Sequence, residues 1–283
     1  MSNLFHKEVA FTDRLSIVFP TRNRPNNIRR LYQSLIDTCT VLPEVVLYID
    51  DDDKVSMPVA KELGIAAIQG PRRMLAECYN EIAYTTSSDL IMYAADDLVF
   101  RTKNWDSAVR QVFNRQEDRI LVVHGDDKSH GHTEHATHGI LHRRWVETVG
   151  YFLPPYFGAW VDNWITAVAN ALGRRVYVPF VNEHMHYTSQ KAPLDATYEE
   201  SRPRQSADTE KYKNLKNKRL EDIQKLWDVM SDKTTLTPIQ DIVHAVQERK
   251  APALACCPSC QAVCVVVTNG RNQCNQCGRQ FNP

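Results

Sequence analysis

Two acidic clusters end short apolar runs, and two cysteine pairs close the chain. Asp50, Asp51, Asp52 and Asp53 follow the run Val45 to Ile49, and Asp96 and Asp97 follow Leu90 to Ala94. Hard divalent cations such as Mg2+ or Mn2+ prefer carboxylate oxygens. Adjacent acids at the end of a buried strand supply such ligands, or simply form a solvated strand-end turn. A cation held there would neutralise charge that builds on a diphosphate leaving group. Six of the 8 cysteines lie between Cys256 and Cys277. Cys257 and Cys260 form one C-x-x-C knuckle and Cys274 and Cys277 another, with the apolar run Val263 to Thr268 and an Asn269-Gly270 hairpin turn between them. Four thiolates presented this way suit tetrahedral Zn2+. So small a module buries too little apolar surface to fold alone, and the metal would supply its stability. Cys39 and Cys78 stand apart inside helical segments, where buried, inert thiols are expected.

The elements that must position these groups follow from hydrophobic periodicity. Leu15 to Phe19, Val45 to Ile49, Ile65 to Ile68, Leu90 to Ala94, Ile120 to Val123 and Val176 to Val181 read as strands. Between them, Ile28, Leu31, Leu35 and Ile36 mark one face of a helix, as do Leu75, Cys78, Tyr79 and Ile82. Val59 to Leu63, Trp105 to Phe113 and Val161 to Leu172 mark further helices. Regular alternation of this kind predicts an α/β domain with a largely parallel sheet. Ligands bind such sheets beyond the carboxyl ends of the strands, so both acidic clusters should face one cleft. The polar residues 187–208 read as a loop or linker, followed by a helix through Tyr212 to Met230 and another capped by Thr237, Pro238 and Gln240.

The formal net charge is zero, so nothing draws the whole chain toward nucleic acid or acidic membranes. No apolar run reaches the length of a membrane span, and the first residues lack the pattern of a secretory signal. A soluble, cytoplasmic protein without a membrane partner is therefore expected; the sequence carries no signal of oligomeric state. The first turn after a strand, PTRNRPNN, contains no glycine. That argues against a dinucleotide-binding Rossmann domain and against a nucleotidyltransferase phosphate loop. Residues 124–142 are rich in histidine, and His130, His132, His135 and His138 read as part of a flexible, acceptor-facing loop in preference to a second metal site.

The stretches FPTRNRPNNIRRL, YIDDDD and YAADDLVF, in that order and spacing, resemble GT-A glycosyltransferases, and are most similar to compact phage-encoded members. The resemblance covers residues 15–190 and continues in WVDNW and EHMH. It implies a GT-A nucleotide-diphospho-sugar transferase fold over residues 1–195, a linker and helical extension over 196–250, and the zinc ribbon over 251–283. It further implies that Thr21, Arg22 and Arg24 line the nucleotide pocket, with Asp51 or Asp52 on the nucleoside. Asp97 would be the principal Mn2+ or Mg2+ ligand and Asp96 its partner, although Ala95 stands where the D-x-D motif has its first acid. Asp162 would be the catalytic base of an inverting transfer; the plainer reading is a helix-start carboxylate favoured by the macrodipole. His184 or His186 would complete the metal sphere, His184 being preferred.

A phage-type resemblance together with a zinc ribbon suggests DNA as the acceptor, specifically a hydroxymethylated pyrimidine, and host cytoplasm as the location. Arg202, Arg204, Lys211, Lys213, Lys216, Lys218 and Arg219 stand against only Asp208 and Glu210 over residues 202–219, a charge excess suited to phosphates. The alternatives are a non-nucleic-acid acceptor, or a nucleic-acid-binding protein whose GT-A domain has lost catalysis.

Overall fold

The computed structural model describes residues 13–130, 135–158, 160–201 and 204–230, together with short strands at Leu254–Cys256, Val263–Val265, Asn272–Gln273 and Gln280–Phe281. The four cysteines of the expected zinc site, and the helix expected from Thr237, lie outside the described residues.

Every strand expected between Leu15 and Val181 forms. In chain order the first four are β1 (Leu15–Thr21), β2 (Glu44–Asp50), β3 (Ala66–Gly70) and β4 (Leu90–Tyr93). They are followed by β5 (Leu98–Phe100), β6 (Val122–Asp126), β7 (Ile140–His142) and β8 (Arg175–His184). Together they make an eight-stranded sheet in the order β3-β2-β1-β4-β7-β6-β8-β5. The expectation of a largely parallel sheet is corrected. β7 runs antiparallel to both β4 and β6, and β5 antiparallel to β8, so the sheet is mixed. Only four residues separate β4 from β5, too few for the crossover that a parallel neighbour needs; β5 therefore leaves β4 and pairs with β8 at the far edge.

Helices α1 (Pro25–Thr38), α2 (Ser56–Glu62), α3 (Leu75–Thr85), α4 (Trp105–Arg115), α5 (Arg143–Val149) and α6 (Val161–Ala171) accompany these strands. Ile28, Leu31 and Leu35 of α1 are fully buried, whereas Ile36, expected on the same face, is 50% exposed. Gly125 lets β6 meet β8 at an irregular register: a Cβ there would lie 2.6 Å from the Phe180 carbonyl oxygen and 2.7 Å from Asn182 Oδ1.

The reading of residues 187–208 as a loop is also corrected. A short 3₁₀ helix (Tyr187–Ser189) and α7 (Ala196–Ser201) lie there, and α8 (Arg204–Asn214) begins within it. The segment carries almost no apolar pattern because charge fixes it: Arg24 makes two hydrogen bonds to Asp195, and Glu200 pairs with Arg72. The single helix expected through Tyr212 to Met230 is two, α8 and α9 (Lys216–Val229), broken at Leu215. Ile223, Leu226 and Met230 join the same hydrophobic core as the sheet. Buried Asp222 ties α9 to α6 by accepting hydrogen bonds from Trp164 Nε1 (3.0 Å) and the Tyr151 hydroxyl.

Candidate active site

The parallel register of β1, β2 and β4 brings their carboxyl ends together, and the acids follow. Thr21, the last residue of β1, donates from Oγ1 to Asp96 Oδ2 at 2.8 Å. Arg24 donates to Asp96 Oδ1 at 3.1 Å. Burial, followed by the neighbouring Asp97 charge, pushes the Asp96 carboxyl up to about 6. Its hydrogen bonds make Asp96 a partner that fixes Thr21, Arg24 and the β4–β5 turn.

Asp97 turns the other way. The β5–β8 register sets Leu98 opposite His184, and Met185 N donates to the Asp97 carbonyl at 2.9 Å. His184 Nε2 consequently lies 3.0 Å from Asp97 Oδ1, but without hydrogen-bond alignment, so that Oδ1 is buried with no donor. His184 Nδ1 is likewise buried and unpartnered. Burial alone would raise the Asp97 carboxyl, but the adjacent His184 ring and the Tyr198 hydroxyl hold it well below the usual carboxylate range. Two ligands bound cis to a cation at about 2.1 Å stand about 3.0 Å apart. The chemistry and spacing of this pair therefore fit a divalent cation. His186 is placed differently: it caps the 3₁₀ helix, with Nδ1 2.8 Å from Thr188 Oγ1.

Arg22 lies across the end of β2, donating to Asp50 at 3.0 Å and through both terminal nitrogens to Asp52. Asp51 is exposed on the same turn, while buried Asp53 is structural, accepting from the backbone N–H groups of Asn23, Val55 and Ser56. The acidic run thus divides into the exposed Asp51 and Asp52, the buried Asp50 paired with Arg22, and Asp53, which builds the loop.

Asp162 sits in the first turn of α6, after Trp160 in a left-handed conformation with φ 60°. Its Oδ1 is enclosed and has no hydrogen-bond partner. Burial pushes the carboxyl up to about 6, an effect that the neighbouring Tyr93 hydroxyl and the His130 and His184 rings moderate. The buried Tyr79 hydroxyl lies in the field of Asp162, Asp96 and Asp97 together, which puts the three acids around one region. A carboxylate of raised basicity beside a candidate cation site is the pairing a general base requires.

Several residues at the site carry no signal in the sequence. Tyr198 of α7 donates its hydroxyl to Asp97 Oδ2 at 2.5 Å, and its ring lies 3.9 Å beneath the Arg24 guanidinium. Asp195 takes Arg24, and Glu200 lies 3.5 Å from Arg22. The segment 195–200 is therefore an arm across the site, touching both arginines and the candidate cation ligand. Only its contacts with residues far back in the chain give it meaning, and periodicity cannot reveal them. Asp127 and His138, from the histidine-rich loop, also turn toward His184.

Comparison with curated proteins yields no match. Among solved structures, glucosyl-3-phosphoglycerate synthase from Mycobacterium tuberculosis, in complex with Mg2+ and uridine diphosphate, superposes with a TM-score of 0.50 at 16% identity, over 68% of this chain and 76% of that one. S. aureus TarS residues 1–349 give a TM-score of 0.50 at 10% identity, over 95% of this chain and 99% of that one. This chain spans only 36% of a longer S. aureus TarS chain. These likenesses establish the GT-A fold, with its mixed sheet and flanking helices. The model of "Glycosyl transferase family 2" matches residues 16–178, more than half of the 283 residues, and the chain belongs to that family.

Proposed function

We propose that this protein transfers a sugar from a nucleotide diphospho-sugar to an acceptor hydroxyl with the help of Mn2+ or Mg2+. The observation that carries the reading is the buried, unpartnered Asp97 Oδ1 with His184 Nε2 3.0 Å from it. The cation would sit between Asp97 and His184 and offset charge on the departing diphosphate. Thr21, Arg22 and Arg24 line the approach, and Asp52, with Asp51 beside it, offers carboxylate to the nucleoside. Asp96 keeps Thr21 and Arg24 in place. Asp162 takes the proton of the acceptor hydroxyl in a single displacement, which inverts the anomeric carbon. The support for this role is its enclosed oxygen and raised basicity.

The test is titration with UDP- and GDP-sugars with and without Mn2+, followed by turnover. Asp97→Ala should abolish cation-dependent nucleotide binding while the protein remains folded. Undiminished turnover in that variant rejects the ligand assignment, and a product retaining the donor's anomeric configuration rejects the role of Asp162.

For the acceptor we retain a hydroxymethylated pyrimidine in DNA, suggested by the basic run at 202–219. Part of that charge is engaged within the fold: Lys218 pairs with Glu221 at 2.7 Å, and Arg219 lies 3.8 Å over the Tyr212 ring. Incubating enzyme and nucleotide sugars with hydroxymethylpyrimidine DNA, then analysing nucleosides by mass, decides the matter. Modification of a glycan, protein or small molecule instead would exclude DNA. The C-terminal cysteines Cys257, Cys260, Cys274 and Cys277 are proposed to hold Zn2+ as a structural ribbon.

A further inference from the structure

The histidine-rich loop returns to the sheet in a rigid path. Ala136 N donates to Thr166 Oγ1 of α6 at 2.9 Å, and Tyr93 of β4 donates its hydroxyl to the Ala136 carbonyl at 2.6 Å. Tyr93 N then donates to the Gly139 carbonyl at 3.1 Å, so the segment is fastened on both sides of His138. His138 itself is 8% exposed, in a left-handed conformation with φ 51°, and meets the His184 ring edge-on at 4.9 Å between centroids. Asp127, 2% exposed, closes the third side; its carboxylate accepts from Ser129 N and His130 N and lies 2.8 Å from His130 Nδ1. His184 N donates to the Asp127 carbonyl at 2.9 Å, which locks β6 to β8 at this point.

We infer that Asp127, His138 and His184 form a cation site of two imidazoles and one carboxylate, taking a transition-metal ion such as Zn2+ or Mn2+ and sharing His184 with the cleft. One ligand atom from each residue lies within 4.8 Å of the others. Tetrahedral ligands bonded at about 2.1 Å stand about 3.4 Å apart, so side-chain adjustments of about an ångström close the set. The buried Nδ1 of His184 has no partner, and an unpaired buried polar atom is destabilising unless something takes it. Imidazole favours borderline ions over Mg2+, so two imidazoles would discriminate against Mg2+ more strongly than the single imidazole of the Asp97–His184 pair does. Three protein ligands leave coordination positions open, and the bound ion would pin the loop beside Asp162. This inference does not rest on the donor reading.

The full-length protein is titrated with Mn2+ alone, without nucleotide, and pulsed EPR counts the coordinated imidazole nitrogens. Two imidazoles are expected; one or none overturns the site, with no variant needed. His138→Gln and Asp127→Asn, each checked for unchanged melting of the metal-free protein, should weaken Mn2+ and Zn2+ binding by roughly tenfold or more. Asp97→Asn should keep this ion. Loss of the ion in Asp97→Asn, with unchanged binding in His138→Gln, would instead place it between Asp97 and His184. Nucleotide-sugar turnover, measured in parallel, reports separately on the proposed function.

Discussion

At the scale of single residues, the acids of the cleft differ by what surrounds them. Asp97 is held ionised beside a ring nitrogen and a hydroxyl, whereas Asp162 has an enclosed oxygen without a donor and a pKa raised to about 6. Two consequences follow for Asp162. As a general base it must lose its proton, so kcat should rise with pH through about 6 and level off above, and Asp162→Asn should lose most of kcat while keeping donor affinity. A flat kcat–pH profile from pH 5 to 8 would remove Asp162 from that role. The sign for stability is opposite. A carboxyl whose folded pKa exceeds its unfolded value binds its proton more tightly when folded, so its favourable contribution is present at low pH and lost as pH rises through that window. In cation-free protein near pH 7, Asp162→Asn should therefore be more stable, by up to about 3 kcal/mol. Urea denaturation measures it, and a destabilised Asn variant contradicts the burial argument.

At the scale of elements, the arm and the edge strand matter most. Asp195 is 40% exposed, so its pair with Arg24 is discounted to about 1 kcal/mol. Asp195→Ala frees Arg24 and should tighten nucleoside diphosphate binding about fivefold, as read by calorimetry; weaker binding would show that the arm helps hold the ligand. How much was legible in the sequence divides along the same line. β1, β2 and β4 announce themselves as apolar, β-branched runs because they are buried on both faces. β5 is three residues long, and its meaning lies in its pairing with β8, so nothing local predicts that Asp97 will meet His184. That meeting came from resemblance. The arm has the sequence of a linker because charges, with Asp195 and Arg24 separated by 171 residues, hold it where periodicity has nothing to detect.

At the scale of the whole molecule, the C-terminal helices complete the catalytic body. Asp222→Ala leaves the Tyr151 hydroxyl and Trp164 N–H unpaired in the interior and should cost roughly 2–5 kcal/mol. Loss of under 1 kcal/mol in urea would mean that α9 docks by its apolar face alone. For the cysteine module, cobalt substitution should give a thiolate charge-transfer band that disappears when Cys274 and Cys277 become serine; a persisting band refutes the ligand set. Tyr198 links the two halves of the site, since its hydroxyl is on Asp97 and its ring under Arg24. A cation on Asp97 Oδ1 draws charge from the carboxylate and weakens the hydrogen bond that Oδ2 accepts from that hydroxyl, and any phosphate that draws Arg24 away loosens the same ring. The displacement of one side chain is then a shared cost that whichever ligand arrives first discharges for the second. Cation and nucleotide should therefore show positive heterotropic linkage, each raising the affinity of the other by an equal factor, and replacing the tyrosine by alanine should shrink that factor toward one.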